Sequence, residues 1–197
     1  YAPSPRCVTP EVATEICRVV PETIDKVGVF VNHAVSDVVS LTKDCKLTGI
    51  QLHGDESPFD LAHLRSELPD IKLIRAFRIQ ISDEDAILES WACVARDLDE
   101  CRRLGLSLFA SLIDAFVAGS YGGTGRTIFG DGMTAAYDKA NWPAMILAGG
   151  LTPENVVEAI KNVRPWGVDV ASGVESSPGV KDRMRVERFI RLARAGG

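Results

Sequence analysis

The stretch Ala144–Glu175, AMILAGGLTPENVVEAIKNVRPWGVDVASGVE, leaves few architectures open to this chain. Its apolar run Met145–Leu147 stops at the pair Gly149–Gly150. Thr152 then stands where an N-cap belongs and Pro153 where a first helical residue belongs, ahead of a stripe of Val156, Val157 and Ile160. Beyond Pro165 a second apolar strand, Val168–Val170, opens into a turn at Ser172–Gly173. The unit is strand, helix, strand, with a glycine turn closing each strand. Such turns let backbone N–H groups approach an anion closely, and a helix N-terminus behind them adds partial positive charge. Two of them on neighbouring strands near the C-terminus match the place where many (β/α)8 barrels hold a phosphate. Each turn alone also reads as ordinary capping chemistry.

The rest of the chain repeats the pattern. Thr9 caps a helix to about Val20, with Pro10 at its first position. Strands follow at Lys26–Asn32, Thr48–His53, Lys72–Ile79 and Ser107–Asp114. Helices are expected over Val35–Cys45, from Ser57–Pro58 to Leu68, and over Asp83–Leu104 with a break near Ala95–Leu98. A glycine-rich loop, Gly119–Thr127, precedes a short helix near Met133–Tyr137, and Arg183–Ala195 is a terminal helix. Strict alternation without a long linker predicts one α/β domain over residues 1–197, a parallel sheet covered by helices. Six strands are expected where a closed (β/α)8 barrel needs eight, so the barrel is incomplete or the sheet open.

Charge and cysteine content narrow the partners. The formal net charge is −5, and the one basic cluster, Lys181–Arg194, interleaves Asp182 and Glu187 as a solvated helical face does. A nucleic-acid partner is not expected. Five scattered cysteines, without metal-ligand spacing, fit a reducing cytoplasm rather than a disulfide framework. No apolar run is long enough for a membrane span and no signal peptide is evident. The first residue is Tyr1 rather than Met, which leaves processing or truncation open. The surface fits monomer and homodimer equally.

Reactive groups of such a sheet belong at the C-terminal ends of its strands, where Asn32, His53, Asp114 and Asp169 are expected. A carboxyl at Asp114, after Leu112–Ile113 and before the glycine-rich loop, suits a general acid if partly desolvated. It suits equally a carboxylate that accepts backbone N–H bonds. His53 reads as a substrate contact or as a bond between strand ends, and Asp169 as a residue ordering its glycine turn. Arg6 carries a planar fork matched to a carboxylate or phosphate. YGGTGRT (Tyr121–Thr127) fails the phosphate-loop pattern, since its glycine spacing differs and Arg126 replaces the lysine. It reads better as a flexible loop over a ligand.

In this order, YAPSPR, VGVFVN, IQLHGDE, IRAFRI, LIDAFVAGSYGGTGRTIFGD, LAGGLTPENV and VDVASGVESSPGVKD resemble the phosphoribosylanthranilate isomerases, (β/α)8-barrel enzymes of tryptophan biosynthesis. The resemblance runs from Tyr1 to Asp182. It implies that Asp114 is the general acid, that Arg6 holds the anthranilate carboxylate and that His53 lies near the substrate. It puts phosphate loops at Gly149–Gly150 and Ser172–Gly173, with Asp169 beside the latter. The implied substrate is N-(5'-phosphoribosyl)anthranilate and the implied reaction an Amadori rearrangement. An acid protonates the furanose ring oxygen, the ring opens to a Schiff base, and a base removes the proton from ribose C2. No metal or organic cofactor is implied.

The family begins with a strand reading K-I-C-G-I-T, whose cysteine is the base, then a helix and a second strand. This sequence starts at the turn after them. The expectation is therefore an N-terminally truncated domain that carries the acid and lacks the base. Cys7 follows Arg6 in the opening loop and does not correspond to it. Two alternatives stand beside this reading: a non-catalytic phosphosugar-binding fragment, and another phosphosugar isomerase or epimerase barrel.

Overall fold

The computed structural model describes residues 1, 3–116 and 136–197, with the backbone alone at 116. Helices and strands alternate: α1 (Pro10–Val19), β1 (Val27–Phe30), α2 (Val35–Asp44), β2 (Gly49–Leu52), α3 (Pro58–Glu67), β3 (Lys72–Gln80), α4 (Glu84–Arg103), β4 (Ala110–Phe116), β5 (Ala144–Ala148), α5 (Val156–Val163), β6 (Gly167–Val168) and α6 (Arg183–Gly196). Strands β1 to β6 form one six-stranded sheet in chain order. The β1–β2, β2–β3 and β5–β6 pairs are parallel. Six strands with helical connections is the α/β organisation expected from the alternation. Among the described residues no helix is long and apolar enough to cross a membrane.

By its contacts the chain divides into two compact units, Tyr1–Ala76 with Arg96–Ala110 and Phe77–Ala95 with Ser111–Gly197. In the first, β2 is buried at all four positions, as a parallel strand covered on both faces must be. Ile50 and Leu52 of β2 meet Phe30, Val38, Leu61, Leu64 and Leu73 in one apolar cluster. Full burial of each such Leu or Ile contributes roughly 1.5–3 kcal/mol. Ser57 and Asp60 start α3 with a reciprocal cap: Ser57 N–H donates to Asp60 Oδ2 at 2.7 Å, and Asp60 N–H to Ser57 Oγ at 3.3 Å. Thr9 caps α1 by accepting from Val12 N–H, with Pro10 at the first turn, as expected.

In the second unit α5 buries Val156, Ala159, Ile160 and Val163, an i, i+3, i+4, i+7 stripe, and packs on α6. The entry to β5 is anchored by aromatics. The Tyr137 ring stands perpendicular to Trp142 at 5.0 Å and edge-on to Trp91 at 6.0 Å. Tyr137 OH donates to Pro143 O at 2.6 Å.

Several expected boundaries shift. Strand β4 starts at Ala110 and runs past Asp114, so that residue lies inside the strand rather than at its end. Helix α4 is continuous over the expected break at 95–98. Helix α5 starts at Val156, not Pro153, because residues 153–155 form a turn in which Asn155 N–H and Val156 N–H both donate to Thr152 O. Strand β6 ends at Val168, which leaves Asp169 after it. A two-stranded antiparallel ribbon, β7 (Glu175–Ser177) with β8 (Val180–Lys181), is additional to the expected elements. The loop expected at Gly119–Thr127 lies outside the described residues, as does the Met133–Tyr137 helix apart from its last two residues, which are not helical.

Candidate active site

In the second unit, Asp114 is half-buried on β4, and the turn after β5 lies against it. Gly149 (φ 95°) and Gly150 (φ 63°) both adopt left-handed backbone, which glycine enters without steric cost. A Cβ at Gly149 would collide with Ala115 N and O and stand 2.9 Å from Asp114 Oδ1. Only glycine lets this turn sit beside the carboxylate. The turn is then clamped by Asn155, whose Oδ1 accepts from Thr152 N–H at 2.8 Å and whose Nδ2 donates to Gly150 O at 3.0 Å. Thr152, expected as an N-cap, accepts from Glu154 N–H at 3.2 Å. The signal for Asn155 is present in TPEN, because asparagine favours such local backbone bonds.

The second glycine turn, a 3₁₀ turn at Ser172–Val174, packs directly on the segment after the first. A Cβ at Gly173 would strike Leu151 O and stand 2.9 Å from Leu151 C and 3.2 Å from Thr152 Cα. The structure therefore brings together Asp114, Gly149–Gly150 and Ser172–Gly173 through consecutive contacts. Asp169 is exposed and donates its N–H to Leu147 O at 2.8 Å, which fixes the chain as it leaves β6. Gly173→Ala is expected to lower stability by about 1–3 kcal/mol, since the turn has to move off Leu151. A urea-denaturation midpoint equal to that of the parent would show that the contact is not confining.

In the first unit His53 follows β2, its N–H donating to Phe30 O at 2.9 Å. In the assigned amide orientation Gln51 Nε2 donates to His53 Nδ1 at 3.0 Å, which directs the ring proton to Nε2. The adjoining loop has a buried anchor. Glu56 accepts from Asn32 N–H (2.7 Å) and Gly54 N–H (2.9 Å), and Arg75 Nη1 reaches both Glu56 Oε2 (3.1 Å) and Gly54 O (3.2 Å). Arg75 Nη2 faces Asp97 Oδ2 at 3.5 Å. Burial pushes the Asp97 carboxyl above its usual range against the pull of Arg75. Burial and the Asp97 charge push the Cys101 thiol up to about 12, so it is an inert core residue. Arg6 is exposed in the opening turn, where its N–H donates to Ser4 Oγ at 3.2 Å.

Comparison with known proteins gives one consistent relationship. The family model described as N-(5'-phosphoribosyl)anthranilate (PRA) isomerase matches residues 1–192. The N-(5'-phosphoribosyl)anthranilate isomerase of Gloeothece citriformis (strain PCC 7424) is 40% identical over 194 residues, covering 98% of this chain and 81% of the relative. The phosphoribosyl anthranilate isomerase structure from Thermotoga maritima is 31% identical with a TM-score of 0.77, over 99% of this chain and 85% of that one. A phosphoribosyl anthranilate isomerase solved with reduced 1-(o-carboxyphenylamino)-1-deoxyribulose 5-phosphate is 29% identical with a TM-score of 0.74, over 99% and 84% of the two chains. The family model spans residues 1–192, from the opening turn into the terminal helix and across both glycine turns, and on it this chain belongs to the N-(5'-phosphoribosyl)anthranilate isomerase family.

Proposed function

We propose that this chain acts in tryptophan biosynthesis as the isomerase that converts N-(5'-phosphoribosyl)anthranilate to 1-(2-carboxyphenylamino)-1-deoxyribulose 5-phosphate. Asp114 is the general acid: it protonates the furanose ring oxygen, and the C1–O bond breaks as the anthranilate nitrogen forms the Schiff base. Loss of the proton from ribose C2 then gives the enolamine, which tautomerises to the aminoketose. None of the described residues is assigned this second proton transfer. The backbone N–H groups of Gly149–Gly150 and Ser172–Gly173 take the phosphate, with Asp169 ordering the approach to the second turn. Arg6 pairs with the anthranilate carboxylate, and His53 contacts the substrate. The observation that supports this most is the packing of Gly149 on Asp114, which holds an acid beside an anion-accepting turn.

Phosphoribosylanthranilate is fluorescent, so turnover is read as loss of that signal on adding the 197-residue chain. The proposed residues supply the acid and no base, so saturable loss, with the aminoketose phosphate as product, is the expected result once an N-terminal segment bearing the cysteine is supplied. A chain that is folded by circular dichroism, binds the reduced product analogue and leaves the fluorescence unchanged even with that segment would favour a non-catalytic phosphosugar-binding role.

A further inference from the structure

We infer that Glu175 and Lys181 are positioning residues, which aim the Ser172–Gly173 turn at the substrate phosphate; the inference rests on the phosphate reading of that turn given above. The Glu175 side chain is 4% exposed, an ionised group that such burial penalises unless it is paired. Lys181 pairs with it at 2.9 Å, and the same Nζ donates to Ala171 O at 2.8 Å. The ribbon β7–β8 brings the two residues opposite each other, Glu175 against Lys181 in its register. A lysine drawn to a buried carboxylate is thus used to grip a carbonyl.

The carbonyl it grips decides where an N–H points. In a planar trans peptide the C=O of one residue and the N–H of the next lie on opposite sides of the chain. Holding Ala171 C=O toward Lys181 directs Ser172 N–H away from the ribbon. The next peptide is held the same way, because Glu175 N–H donates to Ser172 O and so turns Gly173 N–H outward. Asp182 N–H takes Val174 O at 2.8 Å, and Arg185 Nη1 takes Glu175 O at 3.3 Å, which fixes the far side of the turn. Gly173 cannot retreat, since its Cα lies against Leu151. Ala171 O, Val174 O and Glu175 O are thus held by the ribbon and α6, and Ser172 N–H and Gly173 N–H point the other way. The Lys181 side chain is 47% exposed, so its pairing is not a requirement of core packing alone.

The test uses the full chain and two variants, Lys181→Met and the double variant Glu175→Gln/Lys181→Met. The double variant removes both charges of the Glu175–Lys181 pair together, which avoids stranding the buried carboxylate while removing the grip on Ala171 O. Inorganic phosphate is the probe, by equilibrium dialysis and, with the cysteine-bearing N-terminal segment supplied, as a competitive inhibitor of turnover. Both variants are expected to bind phosphate about tenfold more weakly, with KM raised by the same factor and kcat held. Lys181→Arg, which restores a donor and a charge, is expected to recover part of the loss. Parent-like phosphate affinity in a folded double variant would overturn the inference and leave the phosphate reading intact. A parent chain that binds no phosphate would overturn the phosphate reading, and this inference with it.

Discussion

Asp114→Asn, in the protein supplied with its cysteine-bearing N-terminal segment, is expected to lower turnover about 10²–10⁴-fold, the range set by removal of a general acid, while affinity for the reduced product analogue stays close to that of the parent. Asparagine keeps the shape of the side chain, so the turn at Gly149 can pack against it as it packs against Asp114 Oδ1. What is lost is the proton that has to reach the ring oxygen. The two measurements separate this from a structural effect. If the variant acted by displacing the glycine turn, affinity for the phosphate-bearing analogue would fall with turnover, because the proposed phosphate site is built from the backbone amides of that turn. Turnover equal to that of the parent would remove Asp114 as the acid.

The parts of this site that lie within one local segment were legible in the sequence. The glycine pair after β5 and the turn after β6 announce themselves, since a strand that ends in glycine has few other uses for it. Asp114 is singled out as a candidate by its place between an apolar run and a loop, although the strand extends beyond it to Phe116. The start of α5 was misplaced for a definable reason. Thr152–Pro153 has the side chains of a cap and first turn, but Asn155 binds Gly150 O and Thr152 N–H more effectively and holds the backbone in a non-helical turn. What was not legible depends on register. Arg75 sits in KLIRAFRI as one of three cations in an otherwise apolar strand, and nothing local says that it meets Glu56, 19 residues earlier. Lys181 and Glu175 meet only because a short ribbon folds back, and the sequence there reads as loop.

The Glu56–Arg75 pair carries the other large expected effect, on stability. Arg75 and Glu56 have side chains 8% and 5% exposed, and the Glu56 carboxylate serves two backbone N–H groups besides the guanidinium. Glu56→Ala takes the 3.1 Å carboxylate partner from the buried Arg75 charge and strips the Asn32 and Gly54 amides of their acceptor. The expected loss is about 3–5 kcal/mol, the range for breaking a buried pair from one side. Glu56→Ala/Arg75→Met should recover part of it, because no unpaired cation remains, but the two amides stay unsatisfied, so the recovery is incomplete. Arg75→Met alone has a different signature. Asp97 already titrates above its usual range through burial, and without Arg75 its folded-state pKa rises further above the unfolded value. The folded variant then binds more protons than the unfolded chain, so its stability falls as pH rises from the ordinary carboxylate range through the raised Asp97 value. Urea denaturation at a series of pH values reads both effects. A Glu56→Ala midpoint within error of the parent, or an Arg75→Met stability that does not fall with rising pH, would show that the cluster is not held by its charges.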